Sequence, residues 1–461
     1  MFVPLSPVRC LERAGTVFGG HVGVVDGHSR FRYSEFCDRA QRLAGALVAL
    51  GLEPGEPVAF LCHNSHQLLE GYFGVPLAGG LIMPLNIRLA EPELAWILRN
   101  SGARFLFHES EFTAPPAIRS ITFGDEYEAL LNASDPFPID MQAIDEHSGA
   151  SLFYTSGTTG EPKGVVHSHR ALYLHALSVA LTFHIDNATV ELHSIPLFHA
   201  NGWGRPHAAT LMGARQIVQP RFRPIEVARL IAAERVTSLC LVPTMAEQLL
   251  AAPEMADCDA SSLAEIHLGG SPVSSDLISR LIARFGCRIT AGYGMTETGP
   301  VAITAGRPVV GSEMTVDGSG EVLLAGDHLF TGYWGEPQRN TRWLATGDLG
   351  TIDPDGLLTI TDRKKDIIIS GGENISSAEI EHVLSEQPAI AECAVMAWPD
   401  AKWGEVPLVC IVLRHHATEE ELRLWLEGRI ARFKIPKLWR FVPGPLPRTA
   451  TGKVLKHKLF A

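Results

Sequence analysis

No apolar run in this 461-residue chain is long enough to span a bilayer. The most apolar stretch, Tyr72 to Leu85, is short and broken by Gly and Pro, so it reads as core. The first residues, Met1-Phe2-Val3-Pro4-Leu5-Ser6-Pro7, lack the basic region and apolar stretch of a secretory signal. Cysteine is sparse: eight residues, scattered, with no C-x-x-C pair. That argues against a disulfide framework or a zinc site, and reduced thiols in a cytoplasmic protein are the expectation. A surplus of basic charge is also missing. The 39 Lys and Arg stand against 51 Asp and Glu, a net charge of -12, which disfavours nucleic acid as a main partner. No G-x-S-x-G elbow and no H-E-x-x-H pair occurs, so the common hydrolase constellations lack their parts.

What is present is an ordinary globular composition, 46% hydrophobic and 20% charged, with room for two or three domains. Helical and strand patterns alternate. Tyr33 to Leu50 and Leu68 to Val75 have helical spacing, and so does Met245 to Leu250; Val58–Leu61, Phe105–Phe107 and Ser238–Val242 read as buried strands. Alternation of this kind predicts an α/β protein with parallel sheets. Residues 109–150 are Pro-rich and weakly periodic, and read as a loop-rich connection. The charge balance then shifts. Residues 362–461 carry 15 basic and 13 acidic groups, and Gly428 to Ala461 holds nine Lys and Arg with no Asp or Glu. We therefore expect a large N-terminal domain of helix-flanked sheets over 1–361. A small α+β domain over 362–461 follows it.

Five segments carry chemistry. The first is Thr155-Ser156-Gly157-Thr158-Thr159-Gly160-Glu161-Pro162-Lys163-Gly164, after the strand-like Ser151–Tyr154. Its glycines free backbone N–H groups to converge on an anion, its hydroxyls add donors and Lys163 adds a cation, which suits a polyphosphate. It is not a P-loop, because no Lys directly follows the second Gly of a G-x-x-x-x-G. The second is Gly292-Tyr293-Gly294-Met295-Thr296-Glu297, preceded by Gly269-Gly270-Ser271-Pro272. Tyr293 offers a flat face, Thr296 a hydroxyl and Glu297 a hard oxygen ligand suited to Mg²⁺; on spacing alone this is a turn with a buried Tyr. The third is Thr346-Gly347-Asp348, whose carboxylate can accept from two hydroxyls. The fourth runs from Asp362-Arg363-Lys364-Lys365-Asp366 to Ser370-Gly371-Gly372, with Ser376 and Glu379 predicting a capping box and a helix start. The fifth is Pro447-Arg448-Thr449-Ala450-Thr451-Gly452-Lys453. Each of the last three, taken alone, is also what a solvated turn or a surface Lys looks like.

Together and in this order, the five segments resemble the signatures of the AMP-forming adenylate-forming enzymes, above all the acyl-CoA synthetases. The resemblance covers nearly the whole chain. It implies ATP and Mg²⁺ as cofactors and CoA as acyl acceptor, and it assigns roles. Thr155, Ser156, Gly157, Thr158, Thr159 and Lys163 would cradle phosphates. Gly270, Ser271, Gly292 and Tyr293 would bind the nucleotide, with Asp348 and Arg363 on the ribose. Glu297 would hold the metal and Thr296 would reach a phosphate. Lys365 would be the hinge, and Gly371 and Gly372 would near the thioester site after rotation. Lys453 would contact the acyl carboxylate and the α-phosphate, where a cation offsets charge building on phosphorus.

Pro196-Leu197-Phe198-His199-Ala200-Asn201-Gly202-Trp203-Gly204 is similar to the corresponding segment of medium- and long-chain fatty acyl-CoA ligases and methylmercaptopropionate-CoA ligases. This puts His199 near the reacting carboxylate and Trp203 in the acyl tunnel, with Gly269, Gly299 and Pro300 lining it. No carboxylate lies between Pro196 and Gln216, so a substrate ammonium would be buried without a partner. Amino acids are therefore disfavoured as substrates. The segments 109–150 and 300–321 are compressed relative to the family. The expected activity is ATP-dependent ligation of a hydrophobic acid, foremost a fatty acid, to CoA. Alternatives are a methylmercaptopropionate or aromatic-acid CoA ligase, an acyl-AMP ligase loading an acyl carrier protein, and a nucleotide-binding protein without catalysis. Expected partners are the carboxylic acid, ATP and CoA, and no nucleic acid; a homodimer is compatible with this reading.

Overall fold

The computed structural model describes residues 3–115, 118–155, 162–370, 373–448 and 454–459, the side chains of residues 200, 201, 365, 374 and 457 excepted. The chain divides into two compact units, one of Met1–Glu313 with Ala325–Arg342, the other of Met314–Leu324 with Trp343–Ala461.

The first unit is built on two sheets. In the seven-stranded sheet, strands Gly149–Thr155, Leu81–Pro84, Pro57–Leu61, Phe105–His108 and Arg119–Thr122 run parallel to their neighbours. Lys163–Ser168 then folds back antiparallel on Gly149–Thr155, and the two-residue strand Gly332–Tyr333 joins its far side. The nine-stranded sheet has a parallel centre: Arg288–Tyr293, Glu265–Leu268, Ser238–Leu241, Val190–His193, Arg215–Val218 and Val22–Asp26. Strands such as Pro57–Leu61 and Ser238–Leu241 are buried at every position. Their nearly continuous apolar runs therefore reflect burial on both faces, as parallel sheets require.

Serines start the helices that follow these strands. Ser65, Ser168 and Ser274 each accept from a backbone N–H of the first turn, satisfying a donor that would otherwise be orphaned. The helices Tyr33–Ala49 and His66–Leu77 bury Phe36, Leu43, Tyr72 and Phe73 in one cluster with Phe60 and Phe107 of the sheet. Residues 109–150 hold more regular structure than a loop, with the strand Arg119–Thr122 and the helix Asp125–Asn132. No helix among the described residues is long and apolar enough to cross a membrane.

The second unit carries a four-stranded sheet ordered Glu313–Val316, Glu321–Ala325, Leu344–Ile352, Leu358–Arg363. A second sheet pairs Ile390–Asp400 with Gly404–Leu413 and is covered by the helices Ser377–Ser385 and Glu419–Leu426 over a core of Ile368, Ile380, Val395, Val409 and Leu422. The architecture is mixed α/β with a larger N-terminal and a smaller C-terminal part. Ser376 caps its helix by accepting from Glu379 N, 3.1 Å away. The other half of the expected capping box is used differently: the Glu379 carboxylate holds Lys434 Nζ at 2.7 and 2.8 Å.

Candidate active site

In the first unit, Thr155 and Lys163 are direct cross-strand partners, so the Thr155–Gly164 segment is closed at its base by a β-ladder. Ser156, Gly157, Thr158 and Thr159 lie outside the described residues. Lys163 is exposed, and its Nζ sits 4.8 Å from the centre of the Tyr333 ring. Tyr333 in turn donates its hydroxyl to Glu297 Oε1 at 3.0 Å. Burial first, then the Glu297 carboxylate, raises the Tyr333 phenol above its usual range, so it stays protonated and donates. Glu297 and Thr296 are both buried, in the short 3₁₀ turn Thr296–Thr298, and Phe330 N holds the Glu297 carbonyl at 2.8 Å. A cation and a buried carboxylate are thus set on either side of one tyrosine. Sequence reasoning missed Tyr333; its pairing with Val165, two residues beyond Lys163 on the same strand, places it here.

Behind this turn stands a buried imidazole. Gly299 has φ +61° and ψ +124°, a backbone region that glycine alone tolerates. A Cβ on it would come within 2.7 Å of His175 Cδ2, and a Cβ on Gly204 within 2.4 Å of His175 Nδ1. His175 therefore wedges between the Thr296–Pro300 loop and the turn that carries Trp203. Gly299→Ala is expected to destabilise the protein by about 2–4 kcal/mol, strain and overpacking together. Urea denaturation of the variant beside wild type checks this. A loss below about 0.5 kcal/mol would mean that His175 can move aside.

His199 is half-buried at the start of the turn Ala200–Gly204. Burial first, then the nearby Arg88 cation, pushes its imidazole down to about 4, so it is neutral near pH 7. Gly202, Trp203 and Gly204 have φ of +51°, +58° and +74°. Trp203 is thus a bulky residue held in the left-handed region between two glycines, which is strained backbone. Its indole is buried against Gly269, whose added Cβ would lie 3.1 Å from Trp203 Cη2. Tyr293, Gly292 and Ser271 are half-buried, Pro300 is partly exposed, and Gly270 is exposed with φ +81°.

In the second unit, Asp348 and Arg363 are cross-strand partners, and Arg363 Nε meets Asp348 Oδ1 at 3.0 Å. Thr346 ties this turn down, donating to Val322 O at 2.8 Å and accepting from Asp348 N at 3.1 Å. Gly347, at φ +73°, gives its N–H to Glu321, which also receives Lys364 Nζ at 2.7 Å. Gly371, Gly372 and Lys453 lie outside the described residues, as does the side chain of Lys365.

Two largely parallel sheets followed by a separate C-terminal α+β part are the architecture of an adenylate-forming enzyme. The chain belongs to the AMP-binding enzyme family, whose sequence profile matches residues 11–334, with the AMP-binding enzyme C-terminal domain matching 379–453. A 4-hydroxybutyrate–CoA ligase of Metallosphaera sedula is 33% identical over 99% of this chain and 94% of its own length. A feruloyl-CoA synthase of an Amycolatopsis species is 35% identical over 94% of both chains. The o-succinylbenzoate CoA synthetase of Bacillus subtilis, solved with ATP and magnesium ion, matches with a TM-score of 0.87 at 29% identity, over 98% of this chain and 99% of that one. The protein is an AMP-forming acyl- or aryl-CoA synthetase. CoA is accordingly a substrate and not a resident cofactor.

Proposed function

We propose that the protein joins a small hydrophobic carboxylic acid to CoA in two steps at the residues described above. The carrying observation is the Lys163–Tyr333–Glu297 arrangement, which sets a cation and a carboxylate on one tyrosine. In the first step a carboxylate oxygen bonds to the α-phosphorus of ATP, the bond from that phosphorus to the bridging oxygen breaks, and pyrophosphate leaves. Lys163 and the segment from Thr155 through Ser156, Gly157, Thr158 and Thr159 hold the phosphates. Thr296 adds a hydroxyl, and Tyr293 stacks the purine with Gly270, Ser271 and Gly292 around it. Asp348 and Arg363 hold the ribose.

Glu297 suits Mg²⁺, since a single carboxylate completed by phosphate oxygens is a usual way to bind that ion, and Tyr333 fixes its orientation. Bound there, Mg²⁺ would offset charge on the polyphosphate. Lys453 neutralises charge on the α-phosphate, and neutral His199 orients the acid's carboxylate by hydrogen bonding. In the second step the CoA sulfur attacks the acyl carbon, the thiol proton is released and AMP leaves. Rotation of residues 362–461 about Lys365 exchanges Lys453 for Gly371 and Gly372 at the reaction centre.

The acid itself is open between classes. The expected fatty acid remains one of them, but the relatives are named for 4-hydroxybutyrate and feruloyl-CoA, which favours short-chain and aromatic acids. Trp203, Gly269, Gly299 and Pro300 line the pocket in this reading. The test is AMP release with ATP and Mg²⁺ across acids from propionate and 3-methylthiopropionate through C6–C16 fatty acids to benzoate and cinnamate, each with and without CoA. CoA-dependent release with a short-chain or aromatic acid is expected. Pyrophosphate exchange without CoA-dependent release would transfer the reading to a carrier-protein acceptor.

A further inference from the structure

The segment Phe330-Thr331-Gly332-Tyr333-Trp334 ties two parts of the candidate site together. At its start, Phe330 N donates to the Glu297 carbonyl at 2.8 Å. Further on, Thr331 N donates to Val166 O at 2.8 Å and Trp334 N to Gly164 O at 2.7 Å, both on the strand that begins with Lys163. The Tyr333 ring lies edge-on to Phe330, with centroids 5.0 Å apart at 62°. Backbone bonds on both sides and this ring contact hold Tyr333 in place without help from the two charges it meets. Its face takes the Lys163 ammonium at 4.8 Å, and its hydroxyl donates to Glu297 Oε1 at 3.0 Å.

The two contacts differ in strength. A cation on an aromatic face at an exposed position is held weakly, so Lys163 is easily given up to a polyphosphate. A hydroxyl donating to a buried carboxylate is a charge-assisted hydrogen bond and stronger, so Glu297 keeps its orientation. Among the described residues, neither Lys163 nor Glu297 forms a salt bridge. Opposite charges that meet one ring attract each other strongly at this range. A direct Lys163–Glu297 pair would neutralise both, leaving no free cation for phosphates and no free carboxylate for a metal ion.

We propose that Tyr333 is a positioning residue for the nucleotide: it keeps Lys163 and Glu297 from pairing, so that Lys163 is released to the phosphates of ATP while Glu297 stays aimed at Mg²⁺. This rests on the roles given to Lys163 and Glu297 above. Without the tyrosine, a Lys163–Glu297 pair forms and has to be broken before ATP can bind, and its cost is read as lost affinity.

Isothermal titration calorimetry of the whole chain with ATP, without and with Mg²⁺, tests this. Tyr333→Phe takes the donor from Glu297 and lets the carboxylate capture Lys163, so ATP without Mg²⁺ is expected to bind about 10-fold more weakly than to wild type. Adding Glu297→Gln removes the competitor and should restore that affinity to the level of Glu297→Gln alone. Tyr333→Leu, which also removes the ring face, should lose at least as much with the same rescue, and it decides if Tyr333→Phe does not fold. A merely structural role would weaken binding without rescue by a second substitution. Unchanged Mg²⁺-free affinity in the folded Tyr333 variants, or a loss that Glu297→Gln leaves in place, overturns the inference about Tyr333 alone. Two single variants test the reading beneath it. Lys163→Ala should weaken ATP binding with or without Mg²⁺, and Glu297→Gln should remove the gain in affinity that Mg²⁺ brings. If either does not, the roles of Lys163 and Glu297 fall and this inference with them.

Discussion

Replacing Lys453 by alanine is expected to slow formation of the acyl-adenylate by about 10²–10³-fold, the usual cost of removing one preorganised donor from developing oxyanion charge. Release of AMP and CoA thioester from preformed acyl-AMP should change little. The asymmetry follows from the chemistry of the two steps. Adenylation passes through a five-coordinate phosphorus whose equatorial oxygens gather negative charge, and a positioned ammonium lowers that barrier selectively. Thioester formation breaks an acyl–phosphate bond at carbon, and its leaving group is already a stable phosphate monoester. In the rotation proposed here, Lys453 has left the reaction centre by then. The flanking residues anchor this end of the chain: Arg448 and Val454 pair as an antiparallel bridge, and Arg448 Nη2 holds Glu392 at 2.6 Å. The substitution should therefore act on rate and not on folding. Single-turnover measurements with ATP plus acid, and separately with acyl-AMP plus CoA, resolve the two steps. Equal losses in both would remove Lys453 from its assigned role.

How much of this was legible in the sequence differs from group to group. Asp348 and Arg363 stand fifteen positions apart, and a simple antiparallel hairpin makes them neighbours, so two adjacent motifs led to one ion pair. The alternating pattern located several helices and strands of the first unit, among them Pro57–Leu61 and His66–Leu77, because fully buried strands and serine-capped helices are written locally. Tyr333 was not legible. It reaches Glu297 only through a two-residue strand that pairs with the distant residues Val165 and Val166, and nothing local marks Gly332–Tyr333 as a strand. His175 was equally hidden, since its part depends on two left-handed glycines, Gly204 and Gly299, from separate loops closing on one ring. The sequence also suggested a capping box at Ser376, and the structure keeps only half of it. Lys434, from a distant turn, outbids the Ser376 N–H for the Glu379 carboxylate with a charged partner. Local patterns survive where the partner is local; long-range partners override them.

The same burial that fixes these rings is expected to make the protein acid-labile. Eight imidazoles, those of His167, His169, His175, His193, His199, His207, His267 and His328, have pKa values lowered in the folded state, with burial the first cause in each. For His167, His169, His199, His207 and His328 the value falls to about 4. An unfolded histidine titrates near ~6.5, so between these values the unfolded chain binds more protons than the folded one. Stability must then rise with pH. The contribution is complete above the unfolded value and is lost as the pH falls from ~6.5 toward 4. Each differential proton is worth about 1.4 kcal/mol per pH unit. If only half of the eight rings respond fully, the slope is about 5 kcal/mol per pH unit, against a total stability of roughly 5–15 kcal/mol. The carboxylates held low, such as Glu128 beside Arg39, act in the same direction but only below their own unfolded range near ~4.5. The histidine window therefore comes first. We expect cooperative unfolding with a midpoint between about pH 4.5 and 5.5, and uptake of about four or more protons on unfolding there. Thermal melts from pH 8 to 4.5, in buffers of different ionisation enthalpy, measure both quantities. His207→Leu, which keeps an apolar ring-sized group against Tyr72 and Phe73, should reduce the uptake by about one proton. A melting temperature independent of pH between 7 and 5 would show that these rings take up protons in the folded protein as they do in the unfolded chain, and the neutral His199 below pH 6 would go with it.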